Sequence, residues 1–163
     1  MKYCIAFISF FLFSCYSFGG GFTITKNKEY AIYIRQDSPK LMRYAANELA
    51  RYLAETTGAI CEVKAEKQCA VNQLTVGTEK PVKAVFLPNT LKESADDEFI
   101  IRVDDNSLTI DGGNARGVLY GVYTFLEDFL QCRWYSSKVR IIPFSGTTRI
   151  KTCNIGYLSL IHI

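Results

Sequence analysis

Histidine is scarce in this sequence: one occurs in 163 residues, His162, the second-last. Ser-His-Asp and Cys-His catalysis need an imidazole base inside the folded body, and this body supplies none. A zinc site of the HExxH kind is excluded for the same reason. The six cysteines include no C-x-x-C spacing, so a cysteine metal centre has no framework. No G-x-G-x-x-G motif and no Walker lysine follow the glycines, and no cofactor is expected. A formal charge of +3 with 21% charged residues is too weak to indicate nucleic acid as a partner. Repeats and low-complexity segments are absent.

The longest apolar run, Ile5 to Phe13, falls short of the about 20 residues that a membrane-spanning helix takes. Behind Met1-Lys2 it reads as the core of a signal peptide over residues 1–21. Leu12-Phe13-Ser14-Cys15 resembles a bacterial lipobox, which makes Cys15 a candidate lipidation site, although Phe13 is bulky for that motif. Cleavage near Ser17 or Gly19 is the alternative, and Gly19-Gly20-Gly21 gives a flexible exit in either case. The chain is therefore expected to be exported, as a periplasmic, secreted or outer-membrane lipoprotein, meeting a membrane only through such a lipid anchor. At the other end, residues 158–163 resemble a peptide encoded by a transposon end used in sequencing libraries. They are expected to be a non-native tail, so that a larger C-terminal part follows in the natural protein.

What is plentiful is apolar surface: 48% of residues are hydrophobic, and residues 22–157 make one domain able to bury a core. Phe22–Thr25 and Tyr30–Ile34 read as strands around a turn at Asn27-Lys28-Glu29. A helix follows, with Ser38 as N-cap, Pro39 at the first helical position and Gly58 ending it. Its buried face is expected to be Leu41, Tyr44, Ala45, Leu49, Tyr52 and Leu53. Cys61–Ala65 and Gln73–Gly77 read as strands, and Thr78–Asp97 as a polar surface loop. Glu98–Val103 and Ser107–Ile110 form a hairpin across Asp104-Asp105-Asn106, where Asp and Asn suit a left-handed turn. Asn114 caps a second helix from Ala115 to about Leu130, with Val118, Val122, Phe125 or Leu126, and Phe129 on its apolar face. Gly117 and Gly121 share one side of it, which points to a close approach by a neighbouring element. Strands at Cys132–Tyr135, Ile141–Pro143 and Thr147–Cys153 complete the body. The fold class is α+β: a single mixed β-sheet with two helices packed on one face.

The stretch Leu108–Asp128, with Cys132-Arg133-Trp134-Tyr135, resembles the domain that precedes the catalytic barrel in family 67 α-glucuronidases. It is also similar to domain 2 of β-N-acetylhexosaminidases, and to the head of large Bacteroidetes proteins with a hydrolase-like barrel. Ala45–Leu53 running into Thr57-Gly58, and Val76-Gly77 closing a strand, agree with this, and the likeness covers nearly all of Phe22 to Cys153. The resemblance implies a zincin-like α+β domain that does no chemistry, its partner being a catalytic barrel absent from this chain. Carbohydrate would then reach the parent enzyme through that barrel. The family's acid and base carboxylates sit on the barrel, so no catalytic residue carries over. Arg116, Gly117 and Gly121 match the family motif, at a place where the second helix begins and packs.

The residues themselves agree. Glycoside hydrolysis takes two carboxyl groups about 5–9.5 Å apart, and the adjacent helical Glu127 and Asp128 diverge. Asp96, Asp97 and Glu98 solubilise a loop end, and Asp104 and Asp105 belong to a turn. Trp134 and Tyr135, with Tyr120 and Tyr123, are candidates for stacking on a sugar, against the commoner role of core and interface packing. Cys61 and Cys69 are the candidate disulfide pair, free buried thiols being the alternative. Two functions stay open: a non-catalytic N-terminal domain of an exported glycoside hydrolase, and a stand-alone lipid-anchored glycan-binding protein. A surface lined by Trp134 and exposed tyrosines would favour the second, and an uncovered apolar flank the first.

Overall fold

The fold is seen in a computed structural model that describes residues 20–66, 84–87 and 97–157. Strands β1 (Gly21–Thr25) and β2 (Glu29–Arg35) lead into helix α1 (Lys40–Thr57), then β3 (Ile60–Glu66) and β4 (Ala84–Leu87). Strands β5 (Phe99–Val103) and β6 (Ser107–Gly112) precede helix α2 (Ala115–Asp128). Short strands β7 (Arg133–Trp134) and β8 (Arg140–Ile141) follow, then β9 (Thr147–Lys151) and β10 (Cys153–Tyr157). Six strands make one mixed sheet in the order β10-β5-β6-β4-β2-β3, and β1–β9 and β7–β8 are two-stranded ribbons beside it. The α+β class with two helices stands, and the strands divide among three sheets rather than one. The expected strand Gln73–Gly77 lies outside the described residues.

Both helices lie against one face of the six-stranded sheet, α1 over β2 and β3, α2 over β5 and β6, and they touch each other. Alternation along β2 sends Tyr30, Ile32 and Ile34 into that layer, where they meet Met42, Ala45, Leu49 and Leu53 of α1. Residues Val103, Ile101, Leu108 and Ile110 do the same under Val118, Val122 and Phe125 of α2. Two residues assigned to the buried face of α1 are on the outside: Leu41 and Tyr44 are exposed, and Met42, Ala46 and Glu48 are buried instead. Apolar side chains at helical spacing mark a stripe, but a tyrosine and a leucine at its margin serve equally well on an outer surface.

Three further expectations change for local reasons. Pro39, not Ser38, occupies the cap position of α1, with no side-chain cap bond, while the Ser38 amide donates to the Arg35 carbonyl at 3.1 Å in a turn of its own. The segment taken as a surface loop contains β4, which pairs in parallel with β2 and β6; four residues between polar stretches are too short for periodicity to register. In the β5–β6 hairpin no residue of Asp104, Asp105 or Asn106 takes a positive φ; among the described non-glycine residues, Asn27 and Gln131 do. The hairpin closes through the Asp104 amide on the Ser107 carbonyl, 2.9 Å.

The start of α2 is built as expected, and more firmly. Asn114 Oδ1 accepts from the amides of Arg116 and Gly117 at 2.9 and 2.8 Å. Asp97 then takes Asn114 Nδ2 at 3.1 Å and the Arg116 fork through Nε at 2.8 Å and Nη2 at 2.7 Å. Arg116 beside it, helped by Asn114, holds the Asp97 carboxyl below its usual 3.8. The glycines allow the approach that their spacing announced. A Cβ on Gly117 would strike the Glu98 carbonyl, and one on Gly121 would come within 2.6 Å of Ile110 Cγ2 and 3.1 Å of the Phe99 ring.

Two predictions follow from this junction. Alanine at position 121 would gain roughly 1 kcal/mol of helix propensity, but overpacking against Ile110 and Phe99 is worth about 1–3 kcal/mol the other way. Gly121→Ala is therefore expected to lower the urea midpoint, and an unchanged or raised midpoint would refute the close contact. For Asp97 the folded value is depressed, so its stabilisation is complete above 3.8 and is lost as pH falls through the lower folded value. The gap in melting temperature between the natural chain and Asp97→Asn should be constant near neutral pH and close well below pH 3.8.

Candidate functional site

On the side of the helices away from the sheet, one carboxylate organises a cluster of polar and aromatic side chains. Glu48 sits at a position of α1 that turns toward α2 and is buried. A buried carboxylate needs partners, and it has two kinds. Arg51, one turn on, reaches Oε1 and Oε2 at 2.9 Å, and the Tyr123 hydroxyl of α2 donates to Oε2 at 2.8 Å. Burial pushes the Tyr123 phenol above its ordinary value, and the bond to Glu48 adds to it, so Tyr123 remains a donor.

Tyr52, also on α1, collects the second half of the cluster. Its hydroxyl accepts from Arg51 Nη2 at 2.8 Å, Trp134 Nε1 at 3.0 Å and Arg140 Nη1 at 3.5 Å. Trp134 stands edge-on to Tyr52 and to Tyr123, with ring centroids 5.1 and 5.2 Å apart, and so spans the seam between the helices. The Arg51 guanidinium lies 4.4 Å from the centre of the Tyr52 ring. Arg140 continues outward to Glu55, 3.7 Å away. Through Trp134 and Arg140 the β7–β8 ribbon is fastened across the helix pair.

Register then fixes what the other side of the ribbon shows. Arg133 pairs with Ile141 and Trp134 with Arg140, and the Tyr135 amide donates to the Val139 carbonyl at 3.0 Å. Side chains alternate along a strand, so Trp134 and Arg140 face the helices while Tyr135, Val139 and Ile141 face out. Those three, with Phe144, are between 53% and 67% exposed. Leu41, Tyr44 and Tyr120 are exposed on the helices themselves. Among the described residues, every exposed large apolar side chain except Ile60 is on α1, α2 or the segment that crosses them. Tyrosine, tryptophan and arginine around an apolar patch are the residue types that dominate protein interfaces.

The predicted stacking pair is thus divided between two sides of one ribbon. Trp134 is held within the cluster, and Tyr135 is in solvent. Of the other tyrosines considered, Tyr120 is exposed and Tyr123 is tied to Glu48. Cys61 carries a free thiol, as do Cys132 and Cys153, while Cys69 and Cys15 lie outside the described residues. Burial pushes the thiols of Cys61 and Cys132 up to about 11, which makes both poor nucleophiles. The glycine turn before α2 offers no anion cradle: the Gly113 amide donates to the Glu98 carbonyl at 3.0 Å, and those of Arg116 and Gly117 go to Asn114. Sequence reasoning missed Glu48, Arg51 and Arg140. The available signal was a glutamate on an alanine- and leucine-lined stripe with an arginine three residues later.

Replacing Tyr52 by phenylalanine leaves the Trp134 N–H and two guanidinium groups without their shared acceptor. A loss of about 1–3 kcal/mol in unfolding free energy is expected, together with a change in the emission of Trp134, the one tryptophan in the chain. A variant with both quantities unchanged would show that the ribbon is not fastened through this hydroxyl.

Comparison with known proteins bears on this arrangement. Residues 23–125 match the family described as glycosyl hydrolase family 67 N-terminus. Among solved structures, a β-hexosaminidase from Streptomyces plicatus superposes with a TM-score of 0.55 at 17% identity, over 85% of this chain and 23% of that one. A family GH115 4-O-methyl-α-glucuronidase with specificity for decorated arabinogalactans gives 0.54 at 14% identity, over 83% of this chain and 18% of that one. The GH20 β-N-acetylhexosaminidase from Streptomyces coelicolor gives 0.51 at 17% identity, with 85% and 23% covered. At these identities the likeness is one of fold, and the chain spans about a fifth of the length of the enzymes it superposes on. No curated protein matches. With more than half its length matched, the chain belongs to the glycosyl hydrolase family 67 N-terminus family.

Proposed function

We propose that this chain is the non-catalytic N-terminal domain of an exported glycoside hydrolase, and that its helix–ribbon face seats the catalytic domain. The observation that carries the reading is the one-sided placement of exposed apolar side chains: Tyr135, Val139, Ile141 and Phe144 on the ribbon segment, Leu41, Tyr44 and Tyr120 on the helices. An apolar patch of this kind, underlain by a hydrogen-bonded cluster, has the character of an interface. The family supplies the partner's nature, since its members stand at the N-terminus of a glycosyl hydrolase. In this reading the parent cleaves glycosidic bonds with a carboxylate pair carried by the following domain, and this domain braces that one. The engagement of Trp134 with Tyr52 and Tyr123 favours the accessory role over a stand-alone glycan binder whose platform would be the indole. The apolar leader, residues 1–21, supports export.

Two measurements test it. Reading the genomic DNA downstream of codon 157 should reveal a frame that runs on with strand–helix alternation, whereas a stop directly after codon 163 would sink the proposal. In solution, the chain without residues 1–19, which keeps all of β1, should self-associate, bind an apolar dye and hydrolyse no aryl-glycoside. The triple change Tyr135→Ser, Val139→Ser, Ile141→Ser should abolish association and dye binding with the melting temperature nearly unchanged. Turnover by the chain alone, or association that survives the triple change, would count against this assignment.

A further inference from the structure

The opposite face of the sheet carries a second site. Because Tyr30, Ile32 and Ile34 of β2 point into the helix layer, Glu29, Ala31 and Tyr33 point the other way. Parallel pairing sets Glu29 beside Ile60, Ala31 beside Glu62 and Tyr33 beside Lys64. These six residues, with Tyr30 and Cys61 between them, line a groove of about 560 Å³ at the β3 margin of the sheet, and the six side chains are on the face away from the helices. Its size is that of a small-molecule site, which runs about 300–1,000 Å³.

The lining defines the ligand. Tyr33 and Ile60 contribute an aromatic ring and an aliphatic surface, suited to the C–H face of a sugar ring. Around them stand two carboxylates, Glu29 and Glu62, that accept hydrogen bonds from hydroxyls, and an ammonium, Lys64, that donates them. Glu62 and Lys64 are 3.4 Å apart and largely in solvent, so both can exchange water for a ligand at little desolvation cost. With two negative groups against one positive, the groove disfavours a uronate. We propose that this groove binds a neutral oligosaccharide segment, independently of any docking on the helix side.

The test titrates the chain with the neutral trisaccharides of N-acetylglucosamine, xylose and galactose, and with trigalacturonic acid, while the amide resonances are followed. At least one neutral trisaccharide is expected to bind and to shift residues 29–33 and 60–64, with trigalacturonic acid weaker. Tyr33→Ala should weaken binding by on the order of tenfold. Should that variant unfold, the surface pair Glu29→Ala and Glu62→Ala serves in its place, with the same loss expected and the melting temperature retained. No binding of any of the three neutral sugars, shifts elsewhere on the molecule, tighter binding of trigalacturonic acid, or undiminished affinity in the double variant would each overturn the site. None of these outcomes depends on whether a catalytic domain follows, because the groove and the helix face are on opposite sides of the sheet.

Discussion

The seating of α2 directly on the sheet is the constraint from which the rest of this domain derives its shape. Gly117 places the helix backbone against the Glu98 carbonyl, and Gly121 lets Ile110 and Phe99 occupy the space a side chain would fill. A helix held that low brings Tyr123 within 2.8 Å of a carboxylate on α1. The seam between the helices then has the depth to receive Trp134. The ribbon, the arginines on Tyr52 and the apolar outer surface all follow from that one short distance. Asn114 and Asp97 lock its beginning, so the helix can neither slide nor lift without unpairing a charged group.

How much of this could be read from residues depends on how local each cue is. The second helix was legible except for its last residues, where it ends at Asp128 and not Leu130, because an asparagine cap, two glycines four apart and a valine stripe lie within a dozen residues. The strands of the β5–β6 hairpin were legible too, through alternation and a polar turn. The face of α1 was read only in part: Ala45, Leu49, Tyr52 and Leu53 are buried, but composition cannot say that Leu41 and Tyr44 lie outside. Strand partners were the least visible. The expected strand Thr147–Cys153 divides at Thr152, one part joining β1 and the other β5, and no residue within it announces that division. The cluster at Glu48 escaped for the same reason, since it joins side chains from four separate segments.

As a domain of the family 67 N-terminus type, the molecule presents two faces with different chemistry. The helix side combines a hydrogen-bonded polar underlayer with exposed apolar groups, a combination suited to contact between large surfaces. The sheet side, at its β3 margin, shows charged and aromatic groups around a shallow groove, which suits a hydrated ligand that comes and goes. One layer of six strands keeps the two faces apart.

The pairing of β1 with β9 has a consequence for how the molecule is made. Strand β1 begins the described chain, and its partner lies close to the end of it. Phe22 and Ile24 are fully buried in the finished structure, yet during synthesis they have no strand to join until residues 147–151 have emerged. A contact between residues so far apart in sequence cannot form until most of this domain has been made. The β1–β9 pairing thus ties the burial of Phe22 and Ile24 to the arrival of residues 147–151.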